Sequence, residues 1–270
     1  MLLPPSMKAV LAALLLLPAI ASADVVLVTG APGSGQTAPQ PFTPATPAKP
    51  NKQGIDARQD VVGTNRGIAA PTAITVPEGK VETTLQAVIP FAGLAGINAG
   101  ITKSTELWIE GAGTIVGDSG GDTEHEYGVG IKQVLLRTDK GAIALTGSMR
   151  KLSTSDADSL MSIGAVGTLC VDDECALEIS GSLARVFGFH ESEYDENGPG
   201  ENLITVSASL GNATTRVMLE AMGVDGESIG FLGVRFGNRN AAMDLALVTV
   251  LTEDTGDVPA LPWVGFSARM

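Results

Sequence analysis

Few residues in this 270-residue chain are spaced for chemistry. Its two histidines, His125 and His190, both fall between apolar runs, and neither has a serine and an acid arranged beside it as a nucleophilic triad would need. Ser192 is two residues from His190, which is proximity in sequence without a recognisable nucleophile arrangement. No catalytic residue is therefore assigned, and no cofactor is expected. Cys170 and Cys175 flank Val-Asp-Asp-Glu. In an oxidising compartment such a pair predicts a local disulfide, whereas two cysteines with no histidine nearby make a poor zinc site. Glu191-Ser-Glu-Tyr-Asp-Glu-Asn197 is the densest acidic stretch, and Glu193, Asp195 and Glu196 are its candidate ligands for a divalent cation. The stretch lacks the ligand spacing and glycine of an EF-hand. Gly30 to Thr37 has the outline of a phosphate-binding loop but carries Gln36 where the lysine belongs, so nucleotide binding is not expected.

The elements that must position these groups are strands. From Lys80 onward the sequence alternates with period two, and about twelve segments can be marked, the first Lys80 to Val88 and the last Leu261 to Met270. One row is apolar: Ile97, Leu107, Ile109, Ile143, Leu145, Ile179, Leu183, Ile204, Val217, Leu219 and Leu245. The opposite row holds small, hydroxyl and charged residues, including Glu110, Lys132, Arg150, Glu178, Arg216, Glu220, Arg235, Asp244 and Arg269. Alternation alone fits either a soluble β-sandwich or barrel with an apolar core, or a membrane barrel with the apolar row in lipid and the charged row lining a lumen.

The connections favour the second reading. Short turns such as Thr138-Asp-Lys-Gly, Gly211-Asn-Ala and Gly237-Asn-Arg-Asn alternate with mostly longer, acidic loops, including Gly117 to Glu126 and His190 to Asn202. Up-and-down membrane barrels have short periplasmic turns and long external loops in this order. The last strand alternates Val264, Phe266, Ala268 and Met270 with Gly265, Ser267 and Arg269. This tail and the loop alternation resemble bacterial outer-membrane β-barrel proteins, without pointing to a functional family among them. In such proteins the terminal strand normally ends in an aromatic residue and serves as the barrel-insertion signal; here Met270 stands in its place.

The resemblance implies an all-β, up-and-down antiparallel transmembrane barrel of about 12 strands over residues 80–270, with outer-membrane lipid, lipopolysaccharide and the insertion machinery as partners. Its function would be structural or that of a passive pore. The acidic external loops could hold divalent cations, jointly with lipopolysaccharide phosphates. A secreted soluble β-domain acting as a binding module and an outer-membrane lipid-active enzyme are the competing expectations.

The N-terminus fits that destination. Lys8, the apolar run Ala9 to Ile20 and Ala21-Ser22-Ala23 read as a secretory signal over residues 1–23. The formal charge of -13 becomes -14 once Lys8 is removed, which disfavours nucleic acid as a partner. Residues 24–79 are rich in Pro, Gly, Ala and Thr and offer little apolar surface, so they are expected to form a disordered periplasmic segment.

Overall fold

The computed structural model describes residues 54–89, 92–114, 125–152, 159–189, 200–224, 227–250 and 260–270. Twelve strands follow one another with each paired antiparallel to its sequence neighbours, and the last closes on the first. They are β1 (Val81–Val88), β2 (Ala92–Gly100), β3 (Thr105–Thr114), β4 (His125–Arg137), β5 (Gly141–Leu152), β6 (Ser159–Cys170), β7 (Leu177–Phe189), β8 (Glu201–Gly211), β9 (Thr215–Val224), β10 (Glu227–Gly237), β11 (Ala241–Val250) and β12 (Leu261–Arg269). Each falls within a few residues of the segment expected from alternation. Closure pairs Glu82 with Arg269, Leu85 with Phe266 and Val88 with Trp263. The Met270 amide donates to the Val81 carbonyl at 2.8 Å, so the chain is hydrogen-bonded to its end and leaves no open edge.

The turns at one end are short because their side chains replace missing backbone bonds. The Asn212 carboxamide oxygen accepts from the Thr214 and Thr215 amides at 2.8 Å each, and Asn238 does the same for Asn240 and Ala241. Thr138 accepts from the Gly141 amide at 3.0 Å. Between β6 and β7, Cys170 and Cys175 form a disulfide.

The two faces separate as a membrane barrel requires. The apolar row points outward: Ile109 is 64% exposed, Leu219 60% and Leu183 56%. The charged row points inward and is buried, with Arg269 part-buried at the short-turn end. A soluble sandwich would bury the first row and expose the second, so that competing expectation is overturned.

A second correction concerns the N-terminal segment. Residues 24–53 lie outside the described residues, but residues 54–79, expected to be disordered in the periplasm, are folded inside the barrel. A short helix, α1 (Gly54–Gln59), leads into an irregular run in which Val62, Ile68, Ala73, Ile74 and Val76 have no more than 1% of their surface exposed. Its apolar side chains pack in two places. Ile55, Ala73 and Ile74 meet Val134, Ala142, Ala144, Val166 and the disulfide. Ile68 and Ala69 meet Val88, Met218, Phe231, Val248 and Trp263 on the opposite wall.

Candidate functional site in the barrel lumen

The lumen is built from alternate residues of every strand, which bring the charged row onto residues 54–79. Glu220 on β9 takes the amides of Ile68, Ala69 and Ala70, the latter two at 2.7 and 2.8 Å. Glu106 on β3 takes the Val76 amide at 2.7 Å, and Glu82 on β1 takes that of Gly63 at 3.1 Å. The cations satisfy the carbonyls. Arg235 donates to Gly63, to Arg66 at 3.0 Å and to Gly67 at 2.8 Å. Lys132 donates to Asn65 and Ile74 at 2.9 Å each. Arg269 donates to Gln59, Asp60 and Val61. Irregular backbone at membrane depth survives only when protein groups saturate it, and here wall side chains perform that task.

Charge balance points the same way. The wall contributes the carboxylates Glu82, Glu106, Glu110, Glu126, Glu178, Glu220 and Asp244 against the cations Lys132, Arg150, Arg216, Arg235 and Arg269. Among the described residues, the internal segment adds the buried Arg58 and Arg66 and no buried carboxylate, which brings this lumen set to seven of each sign, while Arg137 and Asp56 pair at the mouth outside it. Arg58 meets Glu178 at 2.8 Å, and Arg66 lies 3.8 Å from Asp244. An uncompensated charge in such a site costs several kcal/mol, so wall and segment stabilise each other.

Of the nine charged residues expected on the inward row, Glu110, Lys132, Arg150, Glu178, Arg216, Glu220, Arg235 and Asp244 are buried in the lumen, and Arg269 reaches into it part-buried. Sequence reading missed Glu82, Glu106 and Glu126. Glu126 was grouped with the acidic loops, yet it sits on β4 and pairs inward at 3.1 Å with Arg150, which also holds Glu110 at 2.7 Å. The inward alternation of Glu82, Thr84 and Gln86 on β1 was available as a signal. Glu193, Asp195, Glu196, His190 and Ser192 lie outside the described residues, as does most of the acidic loop sequence. His125 opens β4 opposite Gly113 on β3. Val264 and Phe266 face outward on β12, and Ala268 shares that row but is 8% exposed.

At the short-turn end the segment is gripped by two turns. The Gly54 amide donates to the Asp173 carbonyl and the Ile55 amide to that of Asp139, both at 3.0 Å. Gly54 has φ +56°, and a Cβ there would collide with the Asp139 carbonyl oxygen, so glycine is required. Lys140 and Asp173 tie the two turns together at 2.6 Å, and Arg137 reaches Asp56 at 3.2 Å. The amides of Leu177 and Ala176 hold the Asp172 carboxyl below its usual range, while the hydrogen bond and charge of Asp173 raise Lys140. Both groups lie outside the membrane-spanning strands.

A cavity of about 60 Å³ remains beside the segment, reaching Leu203 and Met222 at the edge of the Phe231–Trp263 cluster. Asn65, Asn98, Thr146, Ser148, Ser162 and Ser182 are among its lining residues. It has room for a few waters, since one needs about 10–15 Å³ on this measure.

Comparison with solved structures agrees with this architecture. The KdgM porin in complex with disordered oligogalacturonate aligns with a TM-score of 0.54 at 11% identity, over 70% of this chain and 98% of that one. The KdgM porin alone gives 0.51 at 12%, with the same coverage. The chain has the fold of a bacterial outer-membrane β-barrel. At such identities the likeness concerns fold alone. No family model matches the sequence, and no curated protein does.

Proposed function

We propose that this protein is an integral outer-membrane barrel of porin type whose lumen is held shut by its own residues 54–79. The observation that carries this reading is the hydrogen bonding of five amides and eight carbonyls of the segment's backbone by charged wall side chains, which leaves the lumen filled from the short-turn end. That end faces the periplasm in this reading, the signal sequence directs export, and Val264, Phe266, Ala268 and Met270 form the insertion signal. Lipid and lipopolysaccharide surround the outward apolar row. The acidic loop residues, Glu193, Asp195 and Glu196 among them, are proposed to bind divalent cations weakly at the outer rim.

Planar-bilayer recording tests the closed lumen. The full chain should be silent or conduct only in rare openings. Gly54→Val with Gly100→Val should open it, because side chains at these positions strike the Asp139 carbonyl and the Val76 and Pro77 carbonyls at the two ends of the segment. Steady, large conductance from the unmodified chain would refute the reading.

A further inference from the structure

Resting on the proposed closed pore, we infer that the lumen passes small cations in preference to anions once residues 54–79 leave it, and that Glu178 and Glu220 determine this selectivity. The argument begins with what each wall charge keeps after withdrawal. Glu82 keeps Arg269 at 2.5 Å, Glu106 keeps Lys132 at 3.4 Å, and Asp244 keeps Arg235 at 2.6 Å. Glu110 and Glu126 share Arg150. Arg216 lies near Glu178, but its N–H groups are committed to the carbonyls of Cys175, Ala176 and Ser209 and to the Ser209 hydroxyl, within the wall itself.

Glu178 and Glu220 differ from the rest. The ion pair of Glu178 is with Arg58, and the hydrogen bonds of Glu220 are with the amides of residues 68–70. All of these partners belong to the segment and depart with it. Among the described residues, the wall left behind carries seven carboxylates against five cations in the lumen and a sixth, Arg137, at the short-turn mouth. A lumen with low-dielectric walls and an excess of one sign concentrates the opposite ion.

Position reinforces charge. Glu178 and Glu220 stand on β7 and β9, opposite Ser209 and Ser207 of the intervening β8. The same sector carries inward hydroxyls in contact with one another, Ser148 with Ser162 at 2.8 Å and Ser182 with Thr205 at 2.6 Å. Hydroxyl and carboxylate oxygens replace water around a small cation and offer an anion less. The cavity already present beside the segment is lined by Ser148, Ser162, Ser182 and Thr205, and Glu220 stands on β9 between Met218 and Met222 of the apolar cluster.

The test uses the full chain with Gly54→Val and Gly100→Val in a tenfold KCl gradient, after gel mobility before and after boiling has established a folded barrel. A second opened form, Ala70→Trp with Ala73→Trp, alters only the segment and replaces the first if that fails to fold. A reversal potential on the potassium side, with severalfold preference over chloride, is expected. Adding Glu178→Gln and Glu220→Gln should move it most of the way to zero while conductance persists. Reversal at zero or on the chloride side would overturn the cation assignment and leave the closed-lumen reading standing. Unchanged selectivity in the glutamine variants would remove the two residues from it. A folded, opened variant that stays silent would refute both.

Discussion

At the residue scale, the lumen charges act as partners for backbone as much as for one another. Glu220 illustrates the point: one carboxylate serves three successive amides. Hydrogen bonds to a charged group contribute about 1.5–3 kcal/mol each, with strong non-additivity. Glu220→Ala should therefore weaken the closed state by about 2–4 kcal/mol, read as at least a tenfold rise in open-channel events. Arg58 and Glu178 give a sharper case. Arg58→Met strands a buried carboxylate and should loosen the segment by about 3–5 kcal/mol, whereas Arg58→Met with Glu178→Met should cost much less. Additive losses in that double-mutant cycle would mean that the two do not interact. The inward positions of Glu178 and Glu220 were legible from alternation. Their partners were not, because periodicity identifies a face and says nothing about what lies against it.

At the element scale, the barrel and the segment differ in how they announce themselves. A strand writes its face every second residue, and the asparagine turns mark its ends, so the twelve strands could be read within a few residues. Residues 54–79 carry neither period. Their polar backbone is satisfied by residues as distant in sequence as Arg235 and Arg269, and composition alone made them look unable to fold. The two turns that grip α1 give the segment its fixed end. The disulfide packs in the same apolar cluster as Ile55, and Cys170→Ser with Cys175→Ser should raise protease cleavage within residues 54–79 while the barrel keeps its heat-dependent gel mobility. Acid and base should affect this grip little. Asp172, held below its usual range, contributes above the ordinary aspartate pKa and is lost only as pH falls through its lower folded value. Lys140, raised by Asp173, contributes below the ordinary lysine pKa and is lost only as pH rises through its higher folded value. The cleavage rate, corrected for the protease's own profile, should thus be flat from about pH 5 to 9 as far as these turns control it.

At the scale of the whole molecule, one alternating pattern serves two solvents. The outward row is matched to lipid, and the inward row is matched to a polypeptide segment in place of water. Leu219→Arg, on the outward row, should cost about 2–4 kcal/mol of folding into lipid vesicles if it lies near the bilayer midplane. The twelve-stranded closed architecture was legible in the sequence, because length, turn alternation and a paired terminal strand all constrain it. That residues 54–79 fill the lumen was not, since their place there depends on three-dimensional charge matching between Arg58, Arg66 and the wall.

The central claim is that residues 54–79 occupy the lumen, and thiol labelling tests it most directly. Ala70 is 1% exposed and sits where Glu220 closes on the segment. With Ala70→Cys in the full chain, reconstituted into vesicles without reductant so that the native disulfide stays intact, a bulky polymer-linked maleimide should not react until the barrel is unfolded, and should then react fully. Rapid, complete labelling of the folded barrel would place the segment outside and contradict the account.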